Sequence, residues 1–501
     1  MTFFHRLLDL PLLVILLGIC AVSMFLPAAH ALALGEFSVA RGFFYSGFIL
    51  LILTSKIAIA TATDHARGAG QNQLASMIGA YLLLPVVLAV PMQQSVPDLS
   101  FVDAWFEMLS CFTMTGASLF ETPGAIAPPV HFWRSLVGWL GGYYTLVMLA
   151  SVLAPIGLGG VELIGGGAPW AGSGSAQIAK IAEPSQRIIH FSRQLFPVYA
   201  GLTLILWVAL LMAGDSALIA LCHAMGTLST SGISPLTGLA GTASGMPGEA
   251  LIFICFGLAL TRRLWPSAAI ADRTLKIWQD PELRLALGIL AFVTVVIVLR
   301  VVGLGTEGSG LNTVAGVLRA VWGAAFTTLS FLTTTGFHSA SWPDLGLPGL
   351  FLLGLSIIGG GVATTAGGVK LLRVYALLRH GERELERIVH PHSIGGHGPV
   401  ARRLRREGAY MAWIFFMVFG LSLACITAAL TLTGIGFNDA LVLAIAGLST
   451  TGQLAAVVGE TPISYASLDS APLAILGVAM ILGRLEILAV MALLASKSWA
   501  R

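Results

Sequence analysis

Asn438-Asp439-Ala440-Leu441-Val442-Leu443-Ala444-Ile445-Ala446-Gly447-Leu448-Ser449-Thr450-Thr451-Gly452 is the stretch that decides the fold. Its apolar part is too greasy for a water-exposed loop, yet far short of the ~20 residues a spanning helix needs. Such a piece reads as a re-entrant half-helix that dips into the bilayer and stops. Three more stretches read the same way, near 101–113, 216–228 and 317–332. Each runs into one polar pattern: Ser or Thr, any residue, Ser or Thr, then Gly. The copies are Thr113-Met114-Thr115-Gly116, Ser229-Thr230-Ser231-Gly232, Thr333-Thr334-Thr335-Gly336 and Ser449-Thr450-Thr451-Gly452. From Gly to Gly the steps are 116, 104 and 116 residues, and an alanine stands 12 residues before each, at 104, 220, 324 and 440. Thr242–Gly245 and Thr431–Gly434 also match the pattern, but they lack that alanine and a half-helix leading in. Even spacing at this length indicates a duplicated helix–loop–helix unit.

Beyond these four stretches, the rest of the chain is that of an integral membrane protein. It is 56% hydrophobic and 10% charged, with 58 glycines in 501 residues; soluble domains carry about 25% charge. Ten runs are long enough to span: 10–28, 39–61, 74–92, 131–157, 194–213, 248–265, 283–304, 346–378, 409–432 and 471–495. The first also resembles a signal peptide around Ala28–Ala33, a reading its long apolar run disfavours. With the N-terminus inside, 22 of the 27 Lys and Arg residues fall on the cytoplasmic side, so both termini are expected there. The four half-helices then enter from outside, where Asp98, Asp103, Glu107, Glu121, Asp215, Glu249, Asp344, Asp439, Glu460 and Asp469 predict an acidic vestibule. The net charge of +3 excludes a nucleic-acid surface. Five scattered cysteines read as small core residues, not disulfides.

A half-helix ending at mid-membrane leaves carbonyls and a negative dipole end in the bilayer. Glycine lets the following backbone turn successive carbonyls toward an axis. Four such loops, with Ser and Thr hydroxyls added, make rings of oxygens that replace the hydration shell of a monovalent cation. The weaker hydration of potassium favours it over sodium. The candidate binding residues are the sixteen of the four patterns, with the metal placed at Thr115, Ser231, Thr335 and Thr451.

With these motifs in view, the chain resembles the Trk branch of the Trk/Ktr/HKT superfamily of potassium transporters. Phe132-Trp133-Arg134 with Gly138-Trp139-Leu140-Gly141-Gly142, Gly359-Gly360-Gly361 with Thr364-Thr365-Ala366-Gly367-Gly368-Val369-Lys370, and Gly483-Arg484-Leu485-Glu486 carry the likeness outside the filter. The resemblance implies an all-α membrane fold of ten spanning helices and four re-entrant half-helices. Two N-terminal helices (1–70) precede four membrane–pore–membrane repeats around a central pore (71–160, 161–275, 276–390, 391–501). It implies potassium uptake across the cell inner membrane, gated by a loop in repeat three. The gate residues are Gly359, Gly360, Gly361, Thr364, Thr365, Gly367, Gly368, Lys370 and Arg484. Read from residues alone, those glycines fit close helix packing as well. Lys370 could equally anchor a helix end, and Arg484 could form an interhelical ion pair or face a cavity, with Glu486 or the gate loop as partner. Gln453 departs from the family pattern, which often has Pro after the fourth glycine, and puts selectivity strength in question.

The resemblance also implies a homodimer and a cytosolic, TrkA-like ring of nucleotide-binding regulatory subunits. No nucleotide is expected on this chain, because the Gly-rich 157–175 stretch lacks a strand–turn–helix context. The basic 379–407 loop, with His380, His390, His392 and His397, reads as a segment touching lipid headgroups or a partner. A sodium-coupled or weakly selective K+/Na+ transporter is the alternative, and channel or H+ or Na+ symport stays open. An alternating-access solute transporter would need inverted repeats. An enzyme would need a buried nucleophile with a base, and Cys111, Cys222 and His223 form no such set.

Overall fold

The computed structural model describes residues 11–61, 71–120, 122–154, 184–236, 238–265, 277–303, 313–340, 349–390, 406–458 and 462–486. The 157–175 stretch, His392, His397 and the end of the expected 471–495 span lie outside them. The described elements are α1 (Leu12–Ala33), α2 (Phe37–Thr61), α3 (Gln71–Ser95), α4 (Phe101–Phe112), α5 (Pro128–Leu153), α6 (Pro184–Met212), α7 (Ala217–Leu228), α8 (Gly245–Leu260), α9 (Pro281–Gly303), α10 (Val314–Leu332), α11 (Gly349–Ile358), α12 (Leu371–Val389), α13 (Arg406–Leu432), α14 (Phe437–Leu448), α15 (Leu454–Val457) and α16 (Ser470–Leu485). Among the described residues there is no β-strand, as expected of an all-α membrane protein.

Among the described residues, eight helices are long and apolar enough to cross a bilayer. Seven of them, α1, α2, α3, α5, α6, α9 and α13, fall on expected spans. The eighth is α10, a pore-type helix of 19 residues. It runs longer than its 12-residue counterparts, and the Thr313 hydroxyl, which accepts from Gly316 N–H at 3.1 Å, caps its start. The other three expected spans hold shorter helices. In 346–378 the glycines break the run, so α11 ends at Ile358 and α12 begins at Leu371.

Burial places α5 at the centre: 83% of its most apolar window is buried, against 22–50% for the other seven. Glycine makes this possible, since a Cβ at Gly141 would stand 2.1 Å from the Phe112 carbonyl oxygen. The last span repeats the device, with Gly483 as close to the Leu448 carbonyl. The peripheral helices α6, α9 and α13 turn Ile205, Phe292 and Leu421 outward, as lipid-facing helices do. Cys425 is exposed on that outer surface too, whereas Cys20, Cys111 and Cys222 are buried. The first segment packs as a structural helix, with Gly47 of α2 against its Ala21 carbonyl.

Candidate functional site

The four short helices α4, α7, α10 and α14 all stop the same way. The first Ser or Thr of each pattern caps the helix. The second residue then takes a left-handed backbone, with φ of 59, 54, 57 and 54° at Met114, Thr230, Thr334 and Thr450. The third sends its N–H back to the helix, Thr115 to Ser110, Ser231 to Gly226, Thr335 to Ser330 and Thr451 to Ala446, each at 2.9 Å. This is a Schellman closure. Its left-handed position normally belongs to glycine; a side chain there costs about 1–2 kcal/mol. Strain repeated four times persists only where the surroundings enforce it.

The loops close into a ring. A Cβ at Gly116 would meet the Ser231 carbonyl oxygen at 2.1 Å, and one at Gly232 would meet that of Thr335 at 2.0 Å. Gly336 lies against the side chains of Gln453 and Thr451, and Gly452 donates its N–H to the Thr115 carbonyl at 2.6 Å. Loop one therefore touches two, two touches three, three touches four, and four touches one. Residues up to 337 apart in sequence meet here.

The hydroxyls in the ring also tie the loops together. The first and third side chains bond each other in every loop: Thr113 with Thr115 and Ser229 with Ser231 at 2.9 Å, Thr333 with Thr335 at 3.0 Å, and Ser449 with Thr451 at 3.3 Å. The backbone carbonyls are another matter. Among the described residues nothing donates to those of Met114, Thr230, Thr334 and Thr450, although all four residues are buried. An unsatisfied buried acceptor costs about 1–3 kcal/mol, and four equivalent ones in a closed ring mark a site built for something electropositive. The third-position layer is less regular, because the Thr115 and Thr451 carbonyls already accept from Gly452 and Leu454.

The fourth loop differs at its end. Gly116, Gly232 and Gly336 have φ of 71, 61 and 82°, while Gly452 alone takes no positive φ. The short helix α15 starts directly after it. Its carbonyl accepts from the Tyr465 hydroxyl at 2.9 Å and from Ala455 N–H at 3.3 Å. In its place the Gln453 side chain reaches across the ring.

Each post-filter strand is pinned from outside. Glu107 accepts from Leu119 N–H at 2.9 Å and pairs with Arg134 at 2.6 Å, and Arg134 also holds Ser118. His223 bonds Ser234 at 2.8 Å. Glu249 accepts from Trp322, Ser339 and Ala340 at 2.7–3.0 Å. Asp215 accepts from Ser244. The expected acidic vestibule is narrowed: of its ten acids Glu107, Asp215 and Glu249 are buried tie points, Asp98, Asp439 and Asp469 are exposed, and Glu121, Asp344 and Glu460 lie outside the described residues. The cavity of about 540 Å³ above the filter is lined by His131, Arg134, His338 and Gln453, with no carboxylate among its described residues. A carboxylate near apolar packing is stable only with several donors around it, and outer-loop backbone supplies them.

The interruption between α11 and α12 lies beneath the ring. Gly367 donates its N–H to Thr334 Oγ1 at 2.7 Å, and a Cβ on it would meet the Ser449 carbonyl oxygen at 2.2 Å. Thr365 Oγ1 donates to the Leu228 carbonyl at 3.3 Å. Gly361 N–H and Thr364 Oγ1 both donate to the Ala259 carbonyl, and Glu282 accepts from Val362 N–H at 2.9 Å. Gly359 and Gly368 take positive φ where the chain doubles back, with Gly360 packed between Ala366 and α8. Lys370 is buried and donates to the Ala366 carbonyl of its own loop. Arg484 donates to the Thr365 carbonyl at 2.7 Å and to Thr145 at 3.2 Å. Of its two expected partners it takes the gate loop. Glu486 instead pairs with Arg373 at 2.7 Å, and that guanidinium stacks 3.8 Å from the centre of the Phe415 ring. The Arg373 and Thr145 contacts had no signal in the sequence, since each joins elements distant in the chain; Tyr465, 13 residues from Gly452, was also missed.

With this geometry in place, comparison with known proteins is informative. The family model for TrkH, described as a cation transport protein, matches residues 250–500. The Trk system potassium uptake protein TrkH of Escherichia coli K12 is 28% identical over 407 residues, covering 80% of each chain. TrkH of Halomonas elongata is 28% identical over 439 residues, covering 85% of this chain and 84% of its own. TrkG of Escherichia coli K12 is 29% identical over 434 residues, covering 84% and 83%. The crystal structure of the potassium transporter TrkH from Vibrio parahaemolyticus superposes with a TM-score of 0.81 over 99% of both chains at 24% identity, a likeness of fold.

Proposed function

Because this chain belongs to the TrkH family of cation transport proteins, we propose that it takes up potassium through the ring formed by its four loops. The observation that carries the reading is the set of four buried carbonyls, at Met114, Thr230, Thr334 and Thr450, that accept no hydrogen bond in a closed ring. Neutral oxygens held by a rigid frame suit a monovalent cation that sheds its water. The relatives named as potassium uptake proteins support potassium as that cation.

The loop from Gly359 to Lys370 gates the pathway. It is fastened to the filter through Gly367 and Thr334 and held by the buried Arg484 guanidinium. Opening breaks a few hydrogen bonds of about 0.5–1.5 kcal/mol each, a cost within reach of a regulatory partner. A positive charge under the filter also limits cation passage while the loop is closed. Cytoplasmic termini in the inner membrane follow from the placement of basic residues. A homodimer served by a cytosolic, TrkA-like nucleotide-binding ring rests on the family resemblance. A weakly selective K+/Na+ pathway is the second reading, favoured by the turned-away Gly452 carbonyl.

Growth of a potassium-uptake-deficient bacterium at low external potassium, with rubidium and sodium fluxes measured alongside, tests the proposal. Rescue with rubidium flux well above sodium flux is expected. Well-expressed protein that gives no rescue with its regulator present defeats it.

A further inference from the structure

The ring loses its fourfold symmetry at its outer end, where one side chain stands in for a backbone group. Gln453 Nε2 donates to the Gly232 carbonyl at 2.9 Å and to the Gly116 carbonyl at 3.1 Å. Its Cβ and Cγ lie against Gly336, where an added Cβ would meet them at 2.8 and 2.7 Å. A single residue of the fourth loop thus touches the other three. Of the two ends of a carboxamide only the NH2 donates, so chemistry fixes which end faces two carbonyl oxygens. The fourth glycine cannot complete this layer itself, because Tyr465 and Ala455 hold its carbonyl.

We propose that Gln453 is a specificity-determining lid on the outer mouth of the filter. Its carboxamide occupies lone pairs of the Gly116 and Gly232 carbonyls, and an entering monovalent cation must displace it to use them. The inference deepens the potassium reading above and rests on it. The amide hydrogens carry partial positive charge and satisfy the two carbonyls much as a cation does, but the group is neutral and tethered, so exchange is reversible. Gln453 is half-buried and borders the 540 Å³ vestibule, which leaves it room to rotate. Once rotated, its Oε1 can face the cation. The lid therefore competes with cations at the outermost position, and it penalises most the ion that gains least from those carbonyls.

The test uses the full chain with Gln453→Ala and Gln453→Met, the latter keeping length without a donor. Rubidium uptake is measured in cells. Potassium binding is measured separately, as the potassium-dependent thermal stabilisation of the purified protein in detergent. In both variants the concentration for half-maximal uptake and the binding midpoint should fall together by about tenfold, equivalent to 1.4 kcal/mol. The rubidium-over-sodium preference should drop in both variants. Gln453→Asn, one carbon shorter, should fall between, and it keeps the test decisive if a larger change disturbs folding. Midpoints that are unchanged or raised overturn the lid. If wild-type protein carries no potassium, the uptake reading fails; the binding midpoints then still decide whether Gln453 competes with a cation.

Discussion

Loops one to three and loop four begin alike and end differently. All four close their helix with a left-handed second residue and a back-bonded third. The first three then run through a left-handed glycine, whereas the fourth passes from Gly452 straight into α15. The four-residue pattern therefore governs the turn, while the next element along the chain governs the glycine. A helix after Gly452 draws its carbonyl toward Ala455, Tyr465 takes the remaining lone pair, and Gln453 fills the gap. The inner carbonyl layer is fourfold because the turn makes it. The outer layer is three backbone groups and a side chain.

Disrupting the part that all four loops share should have the greatest effect. Gly232→Ala forces a Cβ to 2.0 Å from the Thr335 carbonyl at a φ of 61°, so rubidium uptake should fall by about a hundredfold or more, some 2.7 kcal/mol. Membrane expression, followed by blotting, should hold. Gly336→Asp should likewise abolish uptake without loss of expression.

Read in stability and not in flux, a second contrast is that between a charged tie and a neutral one. Glu107→Ala leaves Arg134 buried without its ion pair and should lower stability by about 3–5 kcal/mol. Tyr465→Phe removes one neutral hydrogen bond from loop four and should cost about 0.5–1.5 kcal/mol. Thermal unfolding in detergent ranks the two; equal shifts would mean that the loops are held by equivalent means.

Deleting Gly359–Gly367 removes the fastening under loops three and four and should raise basal flux by roughly tenfold, the worth of one or two hydrogen bonds. Flux that stays at the wild-type level would leave the glycines a packing role. The smallest effect concerns loop four alone: Tyr465→Phe frees one lone pair of the Gly452 carbonyl, which Ala455 still holds, and should move the rubidium-to-sodium ratio by about threefold. An unmoved ratio would show that Gly452 takes no part in selectivity.

Much of this was legible because membrane physics leaves few options. An apolar run too short to cross, ending in hydroxyls and glycine, has one sensible fate, and four evenly spaced copies point to a ring. The interruption at 359–368 was legible only in part, as its glycines fitted either a broken helix or close packing within one, and 346–378 was expected as a single span. Which acids face the vestibule was not legible, because charge in a loop says nothing about which way a carboxylate turns. Glu107, Asp215 and Glu249 find donors inward and become struts. The mutual bond of the Thr113 and Thr115 hydroxyls was likewise not legible, since the turn that brings them together is a matter of folded geometry.

The membrane setting, most of the spans and the four short helices with their closing patterns were legible in the sequence, because each follows from local hydropathy and composition within a dozen or two residues. The assembled fold alone decides which oxygens stay unpaired, that Arg484 meets Thr365 while Glu486 meets Arg373, and that Gln453 lies across Gly116 and Gly232. Those partners sit more than a hundred residues apart. A hydrogen bond between them depends on where the folded chain delivers each group, a quantity that no stretch of sequence encodes locally.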